Sequence, residues 1–127
     1  MNKKFYKLDI IPEGKFHAII KDYTLSSTPD NKTTFLCLTL YVRHNEDSFE
    51  VNKYFVVDKG RNRKLYEFIR EMGFLHKHNK VSYDELLNSE CIIDLYYNSD
   101  GKLIVGDIEP AEDDDLDFTE EDEYDEE

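Results

Sequence analysis

Aromatic rings and cations recur on two predicted neighbouring strands in the middle of the chain. In FLCLTLYVR, the face opposite the leucines carries Phe35, Tyr41 and Arg43. In the following segment, FEVNKYFVV, one face carries Lys53 and the other carries Tyr54. Rings can stack on nucleobases and cations can pair with phosphates, although any single ring here could equally pack in a core. Together these residues predict a surface that binds single-stranded nucleic acid.

Further cations are expected close to this surface. Lys21 and Tyr23 end the first predicted strand. A basic cluster stands where the third predicted strand gives way to a helix: Lys59, Arg61, Arg63 and Lys64. Cations at a helix N-terminus oppose the helix macrodipole by roughly 0.3–1 kcal/mol each, so an anionic partner is expected there. That partner could be nucleic-acid phosphate or the protein's own acidic tail, and the alternative is a solvated basic face of the helix.

The acidic tail, residues 110–127, contains twelve Asp or Glu and no Lys or Arg. Residues 1–109 hold all sixteen Lys and Arg against seventeen acids, so the net charge of −13 belongs almost entirely to the tail. A block of like charge this dense favours disorder over a packed core and is typical of an interaction tail. Its apolar side chains Leu116, Phe118 and Tyr124 are the candidate contacts with a partner protein.

The N-terminal arm, residues 1–12, interleaves cations with rings. These are Lys3, Lys4, Phe5, Tyr6 and Lys7. The arm could contact nucleic acid, dock on a neighbouring subunit and so allow self-association, or cover the folded domain. Its composition does not choose among these roles.

No arrangement of residues predicts catalysis. The histidines and cysteines lack metal-ligand spacing, and glycine-rich phosphate loops and nucleophile motifs are missing, so neither an enzyme nor a cofactor or metal is expected. Cys37 and Cys91 lie in strand-like runs and are expected to be buried free thiols. Without a secretory signal or an apolar run of about eighteen residues, we expect a cytoplasmic protein that does not bind membranes.

Alternation and turn residues predict five strands. These are residues 14–23, 35–43, 49–57, 91–97 and 103–108. Three meandering strands, a helical connection and a hairpin follow one another in the order of the OB-fold, a five-stranded, partly open barrel. We therefore predict an OB-fold domain at 13–109, between the arm and the tail.

Two helices are predicted between the third and fourth strands. Apolar residues at spacings of three and four predict a helix over about 61–72, with Gly73 as its C-cap. Ser82 and Glu85 predict a capping box that begins a second, short helix.

Several segments together resemble a known group of proteins. These are IPEGKFHAIIKDY, FLCLTLYV, YFVV, REMGF, SYDELL and a final IEP. The chain from 11 to 110 resembles the small OB-fold single-stranded DNA-binding proteins of bacteriophages and of conjugative plasmids of Gram-positive bacteria. The resemblance implies a tail that recruits replication and recombination proteins. The usual bacterial tail ends in a Pro-Phe tip, whereas this one ends in DEYDEE, so Phe118 or Tyr124 would substitute for it.

The expected function is sequence-tolerant coating of single-stranded DNA in replication, recombination or plasmid transfer, with RNA as the alternative nucleic acid. The alternative is an acidic protein that mimics DNA, or another interaction module, and inhibits a nucleic-acid enzyme. A mimic needs acids spread over a folded surface, whereas here they are segregated into a tail. This segregation favours the DNA-binding protein.

Overall fold

In residues 3–111, which are those that the computed structural model describes, five antiparallel strands form one sheet curled into a half-barrel. The strands are β1 (Gly14–Ser27), β2 (Thr34–His44), β3 (Asp47–Val56), β4 (Glu90–Tyr97) and β5 (Leu103–Pro110). Their order is β3-β2-β1-β4-β5, so β3 and β5 are the edges. The helix α1 (Arg63–Met72) and two 3₁₀ turns, Lys77–Asn79 and Tyr83–Leu86, connect β3 to β4. The predicted mainly β class is confirmed, and the arrangement is consistent with an OB-like fold.

The inner face of the half-barrel holds the core. Along β2, the buried side chains are Leu36, Leu38, Leu40 and Val42, as the alternation predicted, and the residues between them face outward. Phe55 of β3 lies opposite Leu36 and is also buried. Burial of one face fixes the register of the strands, because a slip of one residue would expose the whole apolar set.

A β-bulge at Lys21 reverses which side chains of β1 point inward after this residue. Ile20 pairs with Leu40 and Asp22 pairs with Thr39, so Lys21 is the extra residue. After the bulge, Tyr23 pairs with Leu38 on the inner side of the sheet. The strand also continues four residues beyond its predicted end at 23, because Ser26 and Ser27 still pair with β2.

Helix α1 packs against β3 and β5. Leu65, Phe68 and Ile69 are its buried residues, and the Phe68 ring stacks on Phe55 with centroids 5.2 Å apart. Gly73 ends the helix in the left-handed conformation, at a φ of 85°, which confirms the predicted C-cap. The helix begins later than the prediction of 61, because the residues before it form a turn.

The predicted second, short helix is present after Ser82 as a 3₁₀ helix, but its predicted capping box is wrong. Residues Tyr83–Leu86 form this helix, and the Ser82 side chain makes no capping hydrogen bond. The Glu85 carboxylate instead lies 2.7 Å from Nε2 of His76. This competing hydrogen bond removes the side chain that the capping box required.

The two cysteines are both free. Cys91 is buried, and its burial raises the pKa of the thiol to about 12. Cys37 is only half-buried because it lies on the outer face of β2, so the prediction of a buried thiol is wrong at this position. Within residues 3–111, no helix has the length and apolar character needed to span a membrane.

Candidate nucleic-acid interface

The outer face of β2 and β3 brings together four of the eleven predicted contact residues. Phe35, Tyr41 and Arg43 alternate with the buried leucines of β2 and therefore share this face. Tyr54 of β3 pairs with Cys37, an outward residue of β2, and so joins them. Tyr54 is 59% exposed, whereas Phe35 and Tyr41 are partly buried and present only part of each ring to solvent. Three rings are therefore accessible on one side of the sheet.

The rings are arranged along the direction of the strands. Each pair of residues advances about 7 Å along a strand. On the ladder of β2 and β3, Phe35 lies one such step from Tyr54, and Tyr54 lies two steps from Tyr41. The three rings thus span about 20 Å, a length suited to several nucleotides of an extended strand.

Tyr41 is held in place by two neighbours. Its hydroxyl donates a hydrogen bond to Oγ of Ser48, at 2.7 Å. The bulged Lys21 places its Nζ 6.0 Å from the ring centroid, within the range of a cation–π interaction. The bulge therefore brings Lys21 to the ring face.

The charges on this face balance. Lys21 and Arg43 are the cations, and Asp22 and Glu50 are acids on the same side of the sheet. Thr39 and Asn52, which face each other between the rings, are polar and uncharged. This face therefore offers rings for stacking and only a small number of cations.

Lys53 lies on the opposite side of the sheet. Its Nζ donates a hydrogen bond to the carbonyl oxygen of Gly106, at 2.7 Å, and so joins β3 to β5. Burial lowers the pKa of Lys53, Lys64 lowers it further, and Asp107 opposes the shift. The structure does not bring Lys53 to the ring face, and its ammonium group serves to tie the two sheet edges together.

Tyr23 also lies away from the ring face. Its hydroxyl donates a hydrogen bond to Oδ1 of Asp84, at 2.8 Å, and its ring packs near Tyr83. This hydrogen bond raises the pKa of Tyr23. The side chain fastens the connection before β4 onto the sheet.

The basic cluster does not act as one surface. Arg61 donates hydrogen bonds to Oδ2 of Asp58, at 2.8 Å, and to the Lys32 carbonyl and the Thr33 hydroxyl, both at 3.0 Å. Its guanidinium thus holds the turn between β1 and β2 against the end of β3. The anionic partner expected for the cluster is, for this residue, the protein's own Asp58.

The other members of the cluster point in different directions. Arg63 is exposed and pairs with Glu67 one helical turn later, at 3.0 Å. Lys64 lines a groove between α1 and β5 that also contains Lys53 and Asp107. Lys59 is exposed in the turn before the helix. Arg63 and Lys59 remain available to a ligand, but neither adjoins the rings of β2.

The analysis of strand faces missed one exposed ring, Tyr96 of β4. It is 43% exposed and lies over Gly106, where a Cβ atom would meet its ring at 3.1 Å. The segment CIIDLYY carries the signal, because Cys91, Ile93 and Leu95 alternate as buried residues and leave Tyr96 on the outer side. Tyr96 is separated from β2 by β1.

Within residues 3–111, no group of His, Cys, Asp or Glu is arranged to hold a metal ion.

No family model and no curated protein matches the chain. The candidate interface is therefore defined by the geometry of the ring face.

Proposed function

We propose that this protein is an OB-fold protein that binds single-stranded DNA without sequence preference, through the outer face of β2 and β3. The observation that supports the proposal most strongly is the placement of three rings on that one face: Tyr54, which is exposed, and Phe35 and Tyr41, which are partly buried. Stacking on such rings tolerates any sequence, because every base has a π-face.

The strand order supports the OB-fold assignment. OB-folds bind oligonucleotides on the face of their second and third strands and at the turns after the first and fourth strands. In this chain the rings occupy the face of β2 and β3, and the two turns present the exposed Lys32 and Lys102. Both turns therefore offer cations for the ends of the proposed path of the DNA strand.

In this role the protein coats DNA strands exposed during replication, recombination or plasmid transfer, and it catalyses no reaction itself. The acidic tail recruits replication or recombination proteins through Leu116, Phe118 and Tyr124, which lie outside the residues that the structure describes. The resemblance to the single-stranded DNA-binding proteins of phages and plasmids supports this part of the proposal. RNA presents similar bases and is the natural competitor in a binding assay.

Arg43 should contact phosphate, whereas Lys53 should not. Each phosphate that a protein neutralises on a single strand contributes about 0.7 to the slope of log affinity against log salt, through counterion release. Arg43→Gln should therefore flatten that slope by about 0.7. Lys53→Gln should leave the slope unchanged, because its ammonium group is engaged by Gly106. The measurement is fluorescence anisotropy of labelled oligo-dT at several salt concentrations.

This pair of variants also tests the proposal itself. Failure of the full chain to bind oligo-dT at low salt would overturn it. A flattened slope for Lys53→Gln together with an unchanged slope for Arg43→Gln would assign phosphate to the groove between β3, β5 and α1, rather than to the ring face.

A further inference from the structure

The turn between β1 and β2, residues 28–33, uses its acidic residue internally and leaves its lysine free. The Asp30 carboxylate accepts hydrogen bonds from the Thr28 hydroxyl and the Lys32 amide, and these bonds lower the pKa of Asp30. Asn31 at the tip has a φ of 58°, a left-handed conformation that asparagine tolerates. In the described part of the chain, Lys32 forms hydrogen bonds only through its backbone. Its ammonium group is therefore exposed and available to an anion.

An ion pair beyond the end of β3 holds this turn. Nη2 of Arg61 lies 2.8 Å from Oδ2 of Asp58, and the same nitrogen donates hydrogen bonds to the Lys32 carbonyl and the Thr33 hydroxyl, both at 3.0 Å. Oδ2 of Asp58 also accepts a hydrogen bond from the Thr34 amide, at 3.0 Å. Hydrogen bonds to charged groups are roughly twice as strong as neutral ones. The Arg61–Asp58 pair therefore joins the end of the turn and the start of β2 to the segment after β3.

The fixed turn adjoins the first ring of the ring face. Thr34 is held on both sides, since its carbonyl accepts a hydrogen bond from the Val57 amide, at 2.9 Å, while its amide is bound by Asp58. Phe35 follows directly in the chain. Lys32 precedes Phe35 by three residues, so their Cα atoms are at most about 10 Å apart. A DNA strand that stacks a base on Phe35 brings its phosphates within reach of a lysine at this distance.

We infer that Arg61 is a positioning residue for DNA binding: it fixes the turn so that Lys32 contacts phosphate, and it does not contact the strand itself. This inference rests on the proposed function and adds to it one phosphate contact and the residue that orients it. The Arg61 nitrogen already has three acceptors within the protein. A turn that is ordered before the strand arrives reduces the entropy lost on binding.

The salt dependence of oligo-dT binding separates positioning from direct contact. Lys32→Gln should flatten the slope of log affinity against log salt by about 0.7, the value of one phosphate. Arg61→Met should flatten it by most of the same amount, and the double variant by no more than Lys32→Gln alone. A direct phosphate contact by Arg61 would instead make the two losses add to about 1.4. Arg63→Met is the matched control, since Arg63 pairs with Glu67, and it should leave the slope unchanged.

Removal of the acid in the pair gives a test of opposite sign. On charge alone, Asp58→Ala should strengthen DNA binding, because it removes a carboxylate that repels phosphate. Positioning predicts at least about threefold weaker binding at 0.05 M salt, where one phosphate contact contributes about eightfold relative to 1 M. Glu67→Ala is the control, since it removes the acid that pairs with Arg63, and its affinity should be unchanged or higher. Tighter binding by a folded Asp58→Ala chain would overturn the inference.

Amide hydrogen exchange without DNA distinguishes failure of this inference from failure of the proposed function. The Thr33 amide is bonded to Oγ1 of Thr28, at 3.2 Å, and the Thr34 amide to Asp58. Arg61→Met should speed exchange at both amides by at least about tenfold, whereas Arg63→Met should not. Unchanged exchange in Arg61→Met would overturn the inference even if the wild-type chain binds DNA. A wild-type chain that binds no oligo-dT at low salt would overturn the proposed function, and the Lys32 contact with it, whatever the exchange rates show.

Discussion

Replacing both Tyr41 and Tyr54 with alanine is expected to weaken oligo-dT binding by at least about 30-fold while the domain stays folded. Loss of one stacked ring typically costs about 1–3 kcal/mol, so losing two removes about 2 kcal/mol or more. Tyr54 is largely exposed, and Tyr41 lies on the outer face, partly buried, with its hydroxyl bonded to a surface serine. Their removal therefore takes away binding surface without opening the core.

The measurement is the dissociation constant for oligo-dT, alongside the thermal melting curve of each variant. Tyr96→Ala is the control, since it removes an exposed ring from the same sheet two strands away from β2. Wild-type affinity in the double variant would show that the rings of β2 and β3 are not the binding surface. An equal loss of affinity in Tyr96→Ala would place the DNA-binding surface nearer to β4 and β5.

Replacing Phe68 with alanine is expected to destabilise the domain by about 3–5 kcal/mol. Phe68 is 3% exposed and stacks on Phe55, with the ring planes 18° apart. The substitution leaves a cavity between α1 and β3, and such a loss is a large part of the total of about 5–15 kcal/mol that holds a small domain folded. Because Phe55 is next to Tyr54 on β3, a loosened helix should also disturb the ring face.

Urea unfolding followed by circular dichroism measures this effect. Tyr66→Ala on the same helix is the control, because Tyr66 is 37% exposed and the guanidinium carbon of Arg70 lies 5.9 Å from its ring centroid. Its substitution should change the free energy of unfolding by less than about 1 kcal/mol. Similar midpoints for the two variants would mean that α1 is not anchored through Phe68.

The sheet could be predicted where one periodicity dominates. In β2, four alternating apolar residues define the buried face, and the outward placement of Phe35, Tyr41 and Arg43 follows from them. In β1 the same reasoning fails at Lys21. A bulge depends on how two strands pair, so it cannot be recognised from the alternation of residues within β1 alone. Tyr23 therefore lies on the inner side of the sheet.

The basic cluster shows a second limit of sequence reasoning. Four cations within six residues suggest one surface, but side-chain partners distant in sequence separate them. Arg61 finds its acceptors at Lys32 and Thr33, about thirty residues earlier in the chain, which no local pattern indicates. Lys53 is similar, because its acceptor on β5 lies across an open sheet edge.

Binding of a strand of about 30 nucleotides by a chain that ends at Ala111 tests the proposed function most directly, since this length exceeds one OB-fold site. The removed residues, 112–127, carry twelve acids that repel phosphate, and the repulsion is screened over about 10 Å at 0.1 M salt. We predict that the shortened chain binds as tightly as the full chain or more tightly, with the largest difference at low salt. A folded, shortened chain that binds no single-stranded DNA would contradict the proposed function and favour the acidic mimic of DNA.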